Sequence, residues 1–114
     1  MATQEVAKLD EIPVGTTKRV RALDQDILLS NVAGKIYATQ NACGHMRASL
    51  ARGTLEGDII TCAMHGSKFD VTTGKVVSGI RPGLPLIVSE IDVQPLKTYE
   101  VEVKGDVVYV QDGA

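Results

Sequence analysis

The cysteines and histidines of this chain lie close together in the sequence and form two short pairs. Cys43-x-His45 comes first, and Cys62-x-x-His65 follows after 16 intervening residues. The 114-residue chain contains no other cysteine or histidine. Each pair offers one thiolate and one imidazole, which are ligands of zinc and of iron–sulfur clusters. A fold for this sequence therefore has to bring two loops together, so that their tips form a single pocket with four ligands.

The order of the ligands distinguishes between these two kinds of metal site. In the usual zinc spacing, both cysteines belong to the first pair and both histidines to the second. Here each pair is mixed, which fits a two-iron cluster with two cysteines on one iron and two histidines on the other. Two buried free cysteines with two surface histidines would leave the spacing unexplained. We expect an iron–sulfur cluster and keep a structural zinc site as the alternative.

Composition and charge exclude several functions. The formal net charge is −2 and the basic residues are scattered, whereas nucleic-acid-binding proteins usually carry a basic excess or a basic run. No segment approaches the ~20 apolar residues of a membrane span, and residues 1–10 lack the apolar segment of a signal peptide. We therefore expect a cytoplasmic chain with no nucleic-acid or membrane partner. Its length predicts a single domain over residues 1–114.

The distribution of β-branched and turn-forming residues predicts an all-β domain. Val, Ile and Thr are frequent, and Gly, Pro and Asp interrupt them at short intervals, which is typical of short strands joined by turns. The predicted strands are 3–8, 16–23, 26–32, 35–39, 59–61, a short strand before a turn at 70–75, a short strand at 86–88, 98–103 and 107–110. Residues 40–69 show only 59–61 as a clear strand. Three of the four prolines lie in 78–95, which predicts a stiff loop at the start of that segment.

The residues around the two pairs extend the pattern. Between the pairs and after the second one stand Arg52-Gly53-Thr54-Leu55-Glu56-Gly57-Asp58, Gly66-Ser67-Lys68-Phe69-Asp70 and Thr73-Gly74. With these residues nearly the whole chain resembles the Rieske proteins, whose signature has the same two pairs at a similar separation. The resemblance implies a small antiparallel Rieske β domain with a cluster-binding subdomain of two loops, approximately residues 40–83. A third, proline-containing loop covers the cluster in that family and corresponds here to residues 78–83.

The resemblance also implies the ligand set and the type of Rieske protein. Cys43 and Cys62 would bind one iron of a [2Fe–2S] cluster, and His45 and His65 the outer iron. Respiratory Rieske proteins carry an additional pair of cysteines that form a disulfide, which this chain lacks. They also have a tyrosine whose hydroxyl donates to sulfur, where this chain has Phe69. Because such donors stabilise the reduced cluster, the chain resembles the soluble, low-potential, ferredoxin-type members.

For function, the resemblance implies a one-electron carrier between an NAD(P)H-linked reductase and a terminal oxygenase, as in aromatic-ring dioxygenase systems. It implies no catalytic activity of the chain's own and no small-molecule substrate. An electron-transfer small subunit of another redox enzyme is the first alternative, and a structural zinc module that mediates assembly is the second. Residues 84–93 are interpreted as an insertion of unknown role.

Overall fold

The described residues form ten short strands. A computed structural model describes residues 3–42, 49–63, 66–78 and 94–111. The strands are β1 (Thr3–Lys8), β2 (Thr17–Ala22), β3 (Gln25–Val32), β4 (Lys35–Gln40), β5 (Thr54–Glu56), β6 (Ile59–Thr61), β7 (Lys68–Asp70), β8 (Val76–Ser78), β9 (Thr98–Lys104) and β10 (Val107–Gln111). Two 3₁₀ helices cover Leu9–Glu11 and Leu50–Arg52. Within this part of the chain, no helix has the length and apolar character that a membrane crossing requires.

The strands form two separate antiparallel sheets, and β3 of the larger sheet contributes side chains to two cores. The larger sheet has the order β1-β10-β9-β4-β3-β2, and the smaller has the order β5-β6-β7-β8. Successive residues of a strand point to opposite faces, so β3 can supply two cores. Ile27 and Leu29 pack in a core made by residues of the larger sheet, whereas Leu28 packs in a second core with residues of the smaller sheet. The smaller sheet is therefore held against one face of the larger one.

Two-residue turns join three pairs of neighbouring strands in the larger sheet, β2–β3, β3–β4 and β9–β10. The predicted hairpin around Ala33-Gly34 is confirmed, and both residues have positive φ angles of 53° and 98°, as a tight hairpin turn requires. The predicted strand 16–23 is wrong at its ends, because β2 spans Thr17–Ala22. Leu23 and Asp24 form the next turn with φ angles of 54° and 58°, although neither is a glycine. The turn lacks the glycine that usually marks such a hairpin, so the predicted strand ran one residue too far, into Leu23.

The all-β prediction is confirmed, but the smaller sheet has more strands than the sequence indicated. The strands β5 and β8 were not predicted. Each has three residues, which is too short for an alternating pattern to be recognised. Their pairing defines them: Leu55 lies opposite Ile60, and Val76 lies opposite Phe69. Residues 84–93, including a predicted short strand at 86–88, lie outside the described residues.

Candidate metal centre

The first Cys–His pair belongs to a segment whose two ends meet. Ala42 and Ser49 form an isolated antiparallel bridge on either side of residues 43–48. Next to this bridge, the backbone N–H of Leu50 donates to the carbonyl oxygen of Asn41 over 2.8 Å. The two ends of the segment that carries the first pair therefore lie side by side, as the predicted first loop requires. Cys43 and His45 themselves lie outside the described residues.

The second pair begins at a tight turn between β6 and β7. The backbone N–H of Cys62 donates to the carbonyl oxygen of Ser67 over 2.8 Å, and the N–H of Gly66 donates to the carbonyl oxygen of Cys62 over 3.1 Å. Gly66 has a φ angle of 76°, a conformation that glycine adopts without steric cost. Cys62 is therefore held at the base of a closed turn. His65 lies outside the described residues.

The two loop bases lie side by side. Leu50, which follows the first loop, and Cys62, which begins the second, are buried in the same apolar core. Gly53 lies so close to β6 that a Cβ atom built on it would be 2.0 Å from the carbonyl oxygen of Thr61. Only a residue without a side chain permits this approach. The structure thus brings the end of the first predicted ligand loop next to the start of the second.

A third connection reaches the same region from the segment before β9. The backbone N–H of Leu96 donates to the carbonyl oxygen of Gly74 over 2.8 Å. The N–H of Gln40 donates to the carbonyl oxygen of Lys97, and the N–H of Lys97 donates to Oε1 of Gln40, both over 2.8 Å. Leu96 and Lys97 are thereby fixed between the turn after β7 and the end of β4. Residues 79–83 of the predicted proline loop lie outside the described residues.

The surroundings of Cys62 are apolar. Its residue is 2 % exposed, and its thiol is in no disulfide. Phe69 lies opposite Ile60 in the smaller sheet, so it shares the inner face of that sheet with the Cys62 end of β6. Phe69 is completely buried. A buried, unpaired thiol at the joint base of two loops suits the thiolate chemistry of an iron–sulfur cluster.

Sequence reasoning missed a polar network behind the first loop. Asp26, on β3, accepts a hydrogen bond from Nε of Arg19 at 2.8 Å and one from Nδ2 of Asn41 at 3.1 Å. The hydrogen bond from Arg19 is the main reason why the pKa of Asp26 lies below its ordinary value. Asn41 stands two positions before Cys43 and is 1 % exposed. The sequence signal that could have indicated this network is Asn41, a polar residue directly after a strand and shortly before the first predicted ligand.

Comparison with known proteins identifies the family. The model of the Rieske [2Fe-2S] domain matches residues 2–100. The chain is 34 % identical to the ferredoxin component of biphenyl 2,3-dioxygenase from Rhodococcus jostii (strain RHA1) over 110 residues, covering 96 % of this chain and 92 % of that protein. It is 38 % identical over 101 residues to the ferredoxin component of the naphthalene 1,2-dioxygenase/salicylate 5-hydroxylase systems of Ralstonia sp, covering 89 % and 86 %.

A solved structure supports the same assignment. One chain of the complex of reduced oxygenase and oxidized ferredoxin in carbazole 1,9a-dioxygenase superposes on this protein with a TM-score of 0.80 at 35 % identity, covering 96 % of this chain and 93 % of that one. The chain belongs to the Rieske [2Fe–2S] family. Within that family it is a ferredoxin-type electron carrier with a Rieske [2Fe–2S] cluster, and it is not itself a catalytic enzyme. The zinc alternative is thereby set aside.

Proposed function

We propose that Cys43, His45, Cys62 and His65 hold one Rieske [2Fe–2S] cluster, with the cysteines on one iron and the histidines on the other. The observation that carries this assignment is the position of Cys62, a buried unpaired thiol at a closed turn beside the base of the first loop. When bound, the cluster supplies the site's chemistry, the uptake and release of one electron.

The chain's own residues determine how easily that electron is accepted. Cys62 and Phe69 lie in an apolar core from which water is excluded. Adding negative charge to a site of low polarity is costly, and Phe69 has no hydroxyl to offset that cost. We therefore expect a reduction potential toward the lower end of the Rieske range, which extends from about −150 to +300 mV.

The partners follow from the relatives. The relatives named above are ferredoxin components of dioxygenase systems, and one of the solved structures is a complex between oxygenase and ferredoxin. We propose that this chain passes single electrons from an NAD(P)H-linked reductase to the terminal oxygenase of such a system. The similarity to these ferredoxin components favours this role over that of a small subunit in another redox enzyme.

We also propose the domain organisation and the compartment. Residues 1–114 would form one Rieske domain with a cluster-binding subdomain at approximately 40–83; the smaller sheet, from β5 to β8, lies inside that range. The protein would act in the cytoplasm, where thiols such as that of Cys62 stay reduced. Cell fractionation followed by immunodetection tests the compartment, and recovery outside the cytoplasm would contradict it.

Metal analysis and EPR of anaerobically purified protein test the ligand set. We expect two irons and two acid-labile sulfides per chain, and a rhombic signal after dithionite reduction with a lower average g than an all-cysteine cluster. Cys62→Ser and His65→Ala should each abolish that signal. Lys68→Ala is the matched control, because Lys68 is exposed and close in sequence to both, and it should retain the signal. Zinc without sulfide, or a Rieske signal that survives either ligand substitution, would contradict the assignment.

Reconstituted electron transfer tests the role. Reductase, NADH or NADPH and a terminal oxygenase of an aromatic-ring dioxygenase system are combined with and without the protein. We expect substrate oxidation only when the protein is present, and none with Cys62→Ser. Reduction of the protein by the reductase without onward transfer to any such oxygenase would argue for the small-subunit alternative.

A further inference from the structure

We propose that Asn41 is a positioning residue for the first ligand loop and that Asp26 anchors it. This inference rests on the proposed function, because it assumes that residues 43–48 carry Cys43 and His45 as ligands. Asn41 follows the last residue of β4 and stands at the base of that loop. Its side chain connects the base of the loop to the strand behind it.

The Asn41 side chain makes three hydrogen bonds at this junction. Its Oδ1 accepts from the backbone N–H of Ala51 at 3.0 Å. Its Nδ2 donates to Oγ of Ser49 at 2.9 Å and to Oδ2 of Asp26 at 3.1 Å. Two of these three partners, Ser49 and Ala51, belong to the segment that directly follows residues 43–48.

The backbone of Asn41 strengthens the same connection. Its N–H donates to the carbonyl oxygen of Asp26 over 2.9 Å, and its carbonyl oxygen accepts from the N–H of Leu50 over 2.8 Å. Asp26 is in turn held by Arg19, from the edge strand β2, through a bond of 2.8 Å between Nε and Oδ1. The loop base is thus tied through Asn41 to β3 and through Asp26 to β2.

Removal of the Asn41 amide would leave half-buried polar groups without their protein partners. The backbone N–H of Ala51 would lose its acceptor, and one Asp26 oxygen would lose a donor. A polar group shielded from water that loses its partner is costly, and the fold relieves that cost by local rearrangement. Rearrangement at this position moves the base of the ligand loop rather than a remote surface.

Asn31 provides a matched control within the same strand as Asp26. It is also a buried asparagine, 6 % exposed. Its Nδ2 donates to the carbonyl oxygen of Ile12 at 2.7 Å, and its Oδ1 accepts from the N–H of Gly34 at 2.9 Å. Neither partner belongs to a loop base of the candidate site. Asn31→Ala therefore removes a buried amide of the same kind without touching the first ligand loop.

The experiment compares cluster loss in the loaded proteins. Wild type, Asn41→Ala and Asn31→Ala are challenged with a ferrous-iron chelator, loss of visible absorbance is followed, and EPR spectra of the reduced proteins are recorded. Groups that orient metal ligands change affinity by about 10–100-fold when removed, so we expect roughly tenfold faster loss and shifted g values for Asn41→Ala. Asn31→Ala should keep the wild-type g values and lose its cluster much more slowly than Asn41→Ala.

Exchanging the Asn41 and Asp26 side chains tests the direct hydrogen bond between them. Combining Asn41→Asp with Asp26→Asn keeps one amide and one carboxylate at the junction, with acceptors for Ala51 and Ser49. We expect this double variant to recover most of the wild-type cluster lifetime, whereas Asn41→Asp alone places two carboxylates together and should not. If Asn41→Ala does not fold, Ser49→Ala removes a single bond of the same junction and should accelerate cluster loss to a smaller extent.

Three results would overturn the proposal: unchanged cluster loss in Asn41→Ala and Ser49→Ala, equal acceleration and equal g shifts in Asn31→Ala, or no recovery in the double variant. Failure of the proposed function is distinguishable from these results. In that case wild-type protein itself would lack a Rieske EPR signal.

Discussion

Replacing Gly53 by alanine should push Gly53 away from β6. Gly53 follows the first predicted ligand pair, and β6 leads into the second. The added Cβ would lie 2.0 Å from the carbonyl oxygen of Thr61 and 3.2 Å from that of Leu50. Reaching even 3.0 Å from Thr61 requires a displacement of 1.0 Å, since 3.0 − 2.0 = 1.0. The Thr61 oxygen belongs to the backbone of β6, so no side-chain rotation relieves the contact. Overpacking costs about 1–3 kcal/mol, and we expect about 3 kcal/mol here.

The backbone conformation of Gly53 makes this a purely steric test. Its φ of −85° and ψ of −166° are open to alanine, so no cost arises from the dihedral angles themselves. Gly57, in the β5–β6 turn of the same hairpin, has the opposite properties: a φ of 62° and no atom within 4 Å of a built Cβ. Gly57→Ala therefore introduces only backbone strain, worth about 1–2 kcal/mol.

Urea denaturation distinguishes the two glycine variants. With an m value of about 1.5 kcal/mol/M, 3 kcal/mol lowers the unfolding midpoint by about 2 M, against about 1 M for Gly57→Ala. Iron and sulfide content should fall in Gly53→Ala and remain near wild type in Gly57→Ala. A Gly53→Ala midpoint no lower than that of Gly57→Ala, with full cluster content, would refute the claim that this close approach sets the spacing of the two loop bases.

Two further predictions concern the potential and the dependence on pH. Phe69→Tyr should raise the midpoint potential by about 60 mV, because a donor that favours the reduced state by about 1.4 kcal/mol corresponds to 59 mV for one electron; an unchanged potential in a redox titration would contradict the role assigned to the missing hydroxyl. The hydrogen bond from Arg19 lowers the pKa of Asp26 in the folded protein. The ionised Asp26 therefore stabilises the fold above the pKa of about 4 that it has in the unfolded chain, and this stabilisation is lost as the pH falls through its lower pKa in the folded protein. Asp26→Asn should therefore destabilise the protein at pH 7 and progressively less below about pH 4; urea midpoints that differ equally at pH 7 and pH 3 would disagree with this sign.

The parts of the fold that were predictable are local in the sequence. The β3–β4 and β9–β10 hairpins combine β-branched residues with a turn that contains Gly34 or Gly105, and both glycines have positive φ angles. A tight turn fixes the register of the strands that it joins. The nearness of these strands along the chain is the reason why composition and turn chemistry were sufficient to find them.

The parts that were missed depend on partners distant in the sequence. Leu23 and Asp24 form a turn without a glycine, and the side chain of Gln4 on β1 accepts a hydrogen bond from the N–H of Leu23 at 3.1 Å. β5 and β8 have only three residues each and become strands by pairing with β6 and β7. Their own residues carry too little pattern to predict strands.

The candidate site divides in the same way. The ligand types and their spacing stand within 23 positions of the sequence, so the metal class, the family and the electron-transfer role were accessible without a structure. The approach of Gly53 to Thr61 and the bond from Asn41 to Asp26 were not, because each joins residues from separate strands or loops. Ligand chemistry is a property of the residues themselves and can be recognised in order along the chain. The distances that hold two loop bases together arise only when the sheets pack, and only the tertiary structure could decide them.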